Sequence, residues 1–166
     1  MVRTAAGDRA FRAARRIDPQ SGDGALDKLP PSPSVVLIRS PVHNTSEIDA
    51  AITELAHEHD TGLIIMPDTF NDANHEQIAE LAAKYHLPAI YTHRFDDGLI
   101  CYGPDLSDVL RRTAPYVDRI LRGEKPGELP VQAPTKYELT INLKVAEALG
   151  LRAPPNLLAI ADNVLQ

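Results

Sequence analysis

Tryptophan is absent from this 166-residue chain and cysteine occurs once, at Cys101. A lone cysteine excludes an intrachain disulfide and a Cys-rich zinc site, and is neutral about compartment. Basic residues are outnumbered, 17 Lys and Arg against 23 Asp and Glu, for a net charge of −6. Phosphate recognition needs clustered cations, so nucleic acid is not the expected partner. No apolar run approaches a membrane span. The segment Met1–Asp8 carries no apolar stretch behind Arg3 and does not read as an export signal. Catalytic signatures are missing too. No Gly-x-Gly-x-x-Gly follows a strand, no phosphate-binding loop occurs, and there is no Gly-x-Ser-x-Gly nucleophile turn.

What remains is a 43% hydrophobic chain, enough for a core. Residues 1–34 stand apart as a flexible N-terminal segment. Arg3, Arg9, Arg12, Arg15 and Arg16 sit among alanines and suit a short basic helix, followed by Pro- and Gly-rich linker at Asp18–Gly24 and Pro30–Pro33. From Val35 the pattern becomes regular. Val35–Ile38, Leu63–Met66 and Leu87–Tyr91 are short apolar, β-branched runs of the kind buried in parallel sheets. Between them lie amphipathic helices. One is capped by Ser46, with Ile48, Ile52 and Leu55 inward; the next is capped by Asn74 or Asp72, with Ile78, Leu81 and Ala82 inward.

Alternating strands and helices with short turns predict an α/β fold, a parallel sheet flanked by helices. A further strand, Leu99–Gly103, leads into a long helix. Asp105 is its cap, Leu106, Val109, Leu110, Val117, Ile120 and Leu121 its core face, Pro115 its kink and Gly123 its stop. After an extended arm at Leu129–Pro134 come a strand, Tyr137–Asn142, and two short helices, Leu143–Leu149 and Asn156–Leu165.

Candidate catalytic groups are few. Cys101 lies in an apolar strand, where burial keeps a thiol protonated and inert, and a pairing with His93 is the weaker alternative. His57 and His59, two apart, would diverge by about 200° on a helix and would not clamp one metal unless the helix had already ended. All six histidines read as solvated surface groups. No catalytic residue, metal or cofactor is expected.

Geometry offers more, because ligands of open parallel sheets sit at the carboxyl ends of the strands. Asp68, Thr69 and Phe70 follow the second strand with a carboxylate, a hydroxyl and a ring. Arg94 follows the third, with a guanidinium suited to a carboxylate. Tyr102 and Gly103 close the next, the glycine permitting close backbone approach. The set suits an amino acid or an aromatic or carboxylic acid. Each residue has a structural alternative: Asp68 and Thr69 as a turn, Arg94 paired with Asp96 or Asp97, Tyr102 as core.

The C-terminal half carries a resemblance. Tyr102-Gly103-Pro104-Asp105-Leu106, Tyr116 through Pro126, Leu129 through Leu139, Ile141-Asn142-Leu143-Lys144 and Ala148 through Leu151 together resemble ABC-transporter substrate-binding proteins, the group described as uncharacterised or tryptophan/tyrosine-type. Coverage is roughly residues 35–166. The resemblance implies a type I periplasmic binding fold, two α/β lobes joined by crossing strands, with a small-molecule ligand in the cleft, a membrane permease as partner and no covalent chemistry. Asp68, Thr69, Arg94 and Tyr102 fall at the general positions of that cleft.

On this pattern residues 35–98 form a second-lobe segment and residues 99–166 return to the first lobe, hinge and C-terminal helices. The opening first-lobe strands have no counterpart, so a homodimer completing the missing lobe is one expectation and a non-transporting truncated remnant another. An effector-sensing domain of a regulator is a third. The resemblance places the protein in the periplasm; Met1 as the true N-terminus would place it in the cytoplasm.

Overall fold

The computed structural model describes residues 3–4, 13–18, 36–93 and 97–166. Parallel strands β2 (Ala13–Asp18), β3 (Val36–Pro41), β4 (Thr61–Ile65), β5 (Ala89–Tyr91) and β6 (Ile100–Pro104) make most of one sheet, and β7 (Tyr137–Asn142) and β9 (Asn163–Leu165) extend it. The spatial order is β3-β2-β4-β5-β6-β7-β9, with β6 and β7 the antiparallel neighbours. A separate two-stranded ladder joins β1 (Arg3–Thr4) to β8 (Leu151–Arg152).

Two expectations about the N-terminus change. Arg15 and Arg16 lie in a strand, not a basic helix, and β2 fills the slot between β3 and β4. Alanine and arginine favour helix in isolation, but two flanking strands offer β2 a backbone partner on each side, and tertiary pairing overrides propensity. Arg9, Arg12 and the linker at residues 19–34 lie outside the described residues. β5 pairs directly with β6, so the sheet continues across residue 98.

Helices α1 (Thr45–Leu55) and α3 (His75–Lys84) cover one sheet face. Their spacing puts Ile48, Ile52, Leu55, Ile78 and Ala82 into a cluster with Leu63, Ile65, Leu87, Ala89, Tyr91 and Cys101. Ile100 points the other way, as strand alternation requires, into a smaller cluster with Leu99, Leu151 and Ala146 of α5 (Leu143–Ala148). Asn44, not Ser46, caps α1: its side chain accepts from the Glu47 amide at 3.0 Å, and Glu47 accepts from the His43 amide at 2.7 Å. Asn74 precedes α3 without a capping bond and donates instead to the Phe70 carbonyl at 2.7 Å, while Asp72 lies inside α2 (Thr69–Ala73).

The long helix α4 (Leu106–Leu121) starts at Asp105, whose carboxylate accepts from the Ser107 and Asp108 amides. It stops at Gly123, φ +97°, with the paired Gly123–Ile120 and Glu124–Arg119 backbone bonds of a Schellman motif. The helix continues through Pro115, whose ring lies on the polar side where water reaches the carbonyl it leaves unpaired. The expected core face of α4 is not core: none of its residues is buried. A 3.6-residue stripe specifies that something should cover a helix, and here no described element does. The last expected helix is shorter too, α6 (Pro155–Ala159) giving way to β9.

Candidate functional site

Strand order β3-β2-β4-β5-β6 reverses direction at β2, and ligands of open parallel sheets bind at the carboxyl ends of the strands beside such a switch point. The elbow after β4 is rigidly built. Asp68 caps α2 by accepting from the Phe70 amide at 2.7 Å, and buried Asn71 donates to the Met66 carbonyl at 3.0 Å. His75 Nδ1 donates to the Asp72 carbonyl at 2.8 Å.

Across from this elbow, after β5, His93 Nδ1 lies 3.2 Å from the Asp72 carboxylate. A carboxylate can only accept, so Nδ1 is the donor in this bond. The two side chains, 21 residues apart in sequence, are each partly exposed, at 29% and 38%.

His93 opens onto a cavity of about 170 Å³ at the end of β6, lined among others by Thr92, Gly103, Ser107, Glu138 and Thr140. Strand register sets this lining: Thr140 opposes Cys101 and Glu138 opposes Gly103, so their side chains share one face. Gly103 is required there, since a Cβ would fall 1.8 Å from the Thr92 carbonyl oxygen. Asp105 at the rim is bonded by Lys136 at 2.6 Å. That bond holds the Asp105 carboxyl below its ordinary value and raises the Lys136 ammonium. Deeper in the sheet, burial raises the Tyr91 phenol. Among the described residues no cluster of three His, Cys, Asp or Glu could hold a metal.

The sequence-predicted residues divide. Gly103 lines the cavity. Asp68 is spent as a helix cap, Thr69 is exposed beside it, and Phe70 packs against the main core cluster. Tyr102 points to the opposite sheet face from Gly103 and stacks on Tyr137, ring centroids 5.8 Å apart at 26°, both rings about half exposed. Arg94 lies outside the described residues. His93 and His75 are half-buried and hydrogen-bonded, unlike the solvated group expected, while His43, His57, His59 and His86 are exposed. Alternation along residues 137–142 was the available signal for Glu138 and Thr140; the Asp72–His93 pair had none, because it exists only once the two loops meet.

Larger hollows lie elsewhere. A groove of about 490 Å³ runs between α4 and the arm at Leu129–Pro134, and one of about 380 Å³ separates α3 from α5 near the amino ends of β5 and β6. No described helix is long and apolar enough to cross a membrane.

No curated protein sequence matches this one significantly. Solved structures do. One, an ABC domain in complex with L-Trp from Streptococcus pneumonia, superposes with a TM-score of 0.78 at 19% identity, covering 93% of this chain and 55% of its own. A conserved domain protein from Vibrio cholerae O1 biovar eltor gives 0.76 at 20%, over 92% and 54%. A ligand-free, open substrate binding protein with adhesive properties from Clostridium difficile gives 0.62 at 16%, over 93% and 55%. At these identities the likeness is one of fold, and the chain spans about half the length of the proteins it matches. The sequence itself matches the family described as ABC transporter substrate binding protein over residues 28–165, a substrate-binding and not an enzyme family, and the chain belongs to it.

Proposed function

We propose that this chain is the solute-binding component of an ABC transporter, holding an amino acid or an aromatic or other carboxylic acid and releasing it unchanged to a membrane permease, outside the cytoplasm. The observation that carries the reading is the convergence of Thr92, His93, Ser107 and Thr140 on one cavity at the carboxyl ends of the strands. Its volume of about 170 Å³ is below the roughly 300 Å³ at which whole-ligand pockets begin, so it suits a polar head group, with the rest of the solute outside. His93 is hydrogen-bonded to Asp72, and the hydroxyls beside it, with the Glu138 and Asp105 carboxylates on the same lining, supply donors and acceptors. Asp68 and Thr69 follow β4 at the carboxyl ends of the same sheet; the Tyr102–Tyr137 stack offers an aromatic surface at the end of β6. Family membership and a fold neighbour that holds L-Trp agree with this chemistry.

Thermal-shift and calorimetric titration with L-Trp, L-Tyr, L-Phe and simple aromatic carboxylates test it. One of these should stabilise the chain saturably, by about 2.7 kcal/mol at a hundredfold excess over Kd. His93→Ala should weaken that ligand about tenfold with the unliganded melting temperature little changed, and mass spectrometry should recover the solute intact. A folded chain that responds to none of them, or that returns a converted product, overturns the reading.

A further inference from the structure

The charge of the candidate cavity is one-sided. Among the described residues its lining holds two carboxylates, Asp105 and Glu138, and neither lysine nor arginine. The two are differently committed. Asp105 is saturated, one oxygen accepting from the Ser107 and Asp108 amides and the other from Lys136. Glu138 is not. One of its oxygens lies a long 3.4 Å from Lys136 Nζ, and the other has no hydrogen-bond partner among the described residues. Its side chain is 41% exposed, so water screens it only in part.

A neutral group points the same way. Thr140 is 5% exposed and lines this cavity, yet its hydroxyl makes no hydrogen bond among the described residues. A buried hydroxyl left without a partner costs stability, so its oxygen is available to whatever enters. Strand alternation sets Thr140 on the same sheet face as Glu138, two residues away along β7. Thr92, following β5, brings a further hydroxyl to the lining.

An anion is poorly served here. The N-terminus of α4 reaches the cavity through Leu106 and Ser107, and its dipole alone would draw negative charge. Asp105 already answers that dipole from the cap position, and Lys136 is shared between Asp105 and Glu138. A carboxylate arriving from solution would meet the Glu138 charge, and the two repel more strongly as water is excluded. A metal ion is not the cation either, since no three suitable ligands converge among the described residues.

We propose that this cavity receives the ammonium group of an organic amine. An ammonium carries three donors and no acceptor, and the Glu138 carboxylate with the Thr140 and Thr92 hydroxyls supplies three acceptors. The inference rests on the solute-binding reading and narrows it: the solute is an amino acid or simple amine that enters ammonium first, and an acid lacking the amino group is rejected.

Matched ligand series test it on the full chain. L-Trp is titrated by calorimetry beside tryptamine and indolepropionate, L-Tyr beside tyramine and hydroxyphenylpropionate, L-Phe beside phenethylamine and phenylpropionate. In the series that binds, amino acid and amine should agree to within about tenfold, and the deaminated acid should be weaker by about a hundredfold. Glu138→Gln should weaken both amine-bearing ligands roughly tenfold with the melting temperature little changed. Thr140→Val should weaken them about fivefold, while the unliganded melting temperature holds or rises because an unpaired buried hydroxyl is gone. A deaminated acid that binds as tightly as its amino acid overturns the ammonium assignment and leaves the solute-binding reading standing. So do variants that bind the amine as wild type does. A folded chain that binds nothing in any of the three series overturns both.

Discussion

Gly103 shows how one atom can decide the shape of the strand ends. Its missing side chain lets the Thr92 carbonyl lie against β6, and an added Cβ would need that oxygen to retreat by more than an ångström. Backbone cannot yield as a flexible side chain does, so Gly103→Ala should cost about 3 kcal/mol, read by urea denaturation, and should abolish solute binding with it.

Asp105 shows the same at the level of charge. Lys136 and two helix amides hold it ionised, so its folded pKa lies below the unfolded one near 3.9. Its contribution to stability is complete above that value and lost as pH falls through the folded pKa. Asp105→Asn keeps the cap but drops the ion pair. The melting temperature of wild type should therefore exceed that of the variant at pH 6, and the gap should narrow as pH falls below about 4 and through the lowered folded pKa.

Among the elements, α3 carries a strained stop. His86 adopts φ +55° to close the helix through the Leu87–Ala82 and His86–Ala83 backbone bonds, a place where glycine is normal. His86→Gly should stabilise the protein by roughly 1 kcal/mol in thermal or denaturant unfolding. Elements with an inward stripe and apolar strands on either side, such as α1, β4 and α3, were legible residue by residue, because Ile48, Ile52 and Ile78 can be satisfied only by a sheet face. Their caps were less so, since Asn44, Thr45 and Ser46 all have capping chemistry and only the backbone path selects Asn44. In α4 the stripe was legible and its partner was not: periodicity states that a face is apolar, never what meets it.

The whole molecule is a twisted sheet with unequal covering, a dense cluster under α1 and α3, a smaller one under α5, and a helix that leaves the sheet with its apolar face bare. Amino-acid order alone determined the α/β class, the strand-and-helix alternation from Val36 to Pro104, the cap and stop of α4, and the family resemblance in the C-terminal half. These depend on local periodicity, on turn chemistry and on motif order, which are properties of the chain itself.

Only the tertiary structure decided that β2 enters the sheet between β3 and β4. It also brought Asp72 to His93 across 21 residues, and left the expected core face of α4 exposed. Each of these depends on which segments meet in space. That is set by the summed burial and backbone pairing of the whole fold, to which no single stretch of sequence has access.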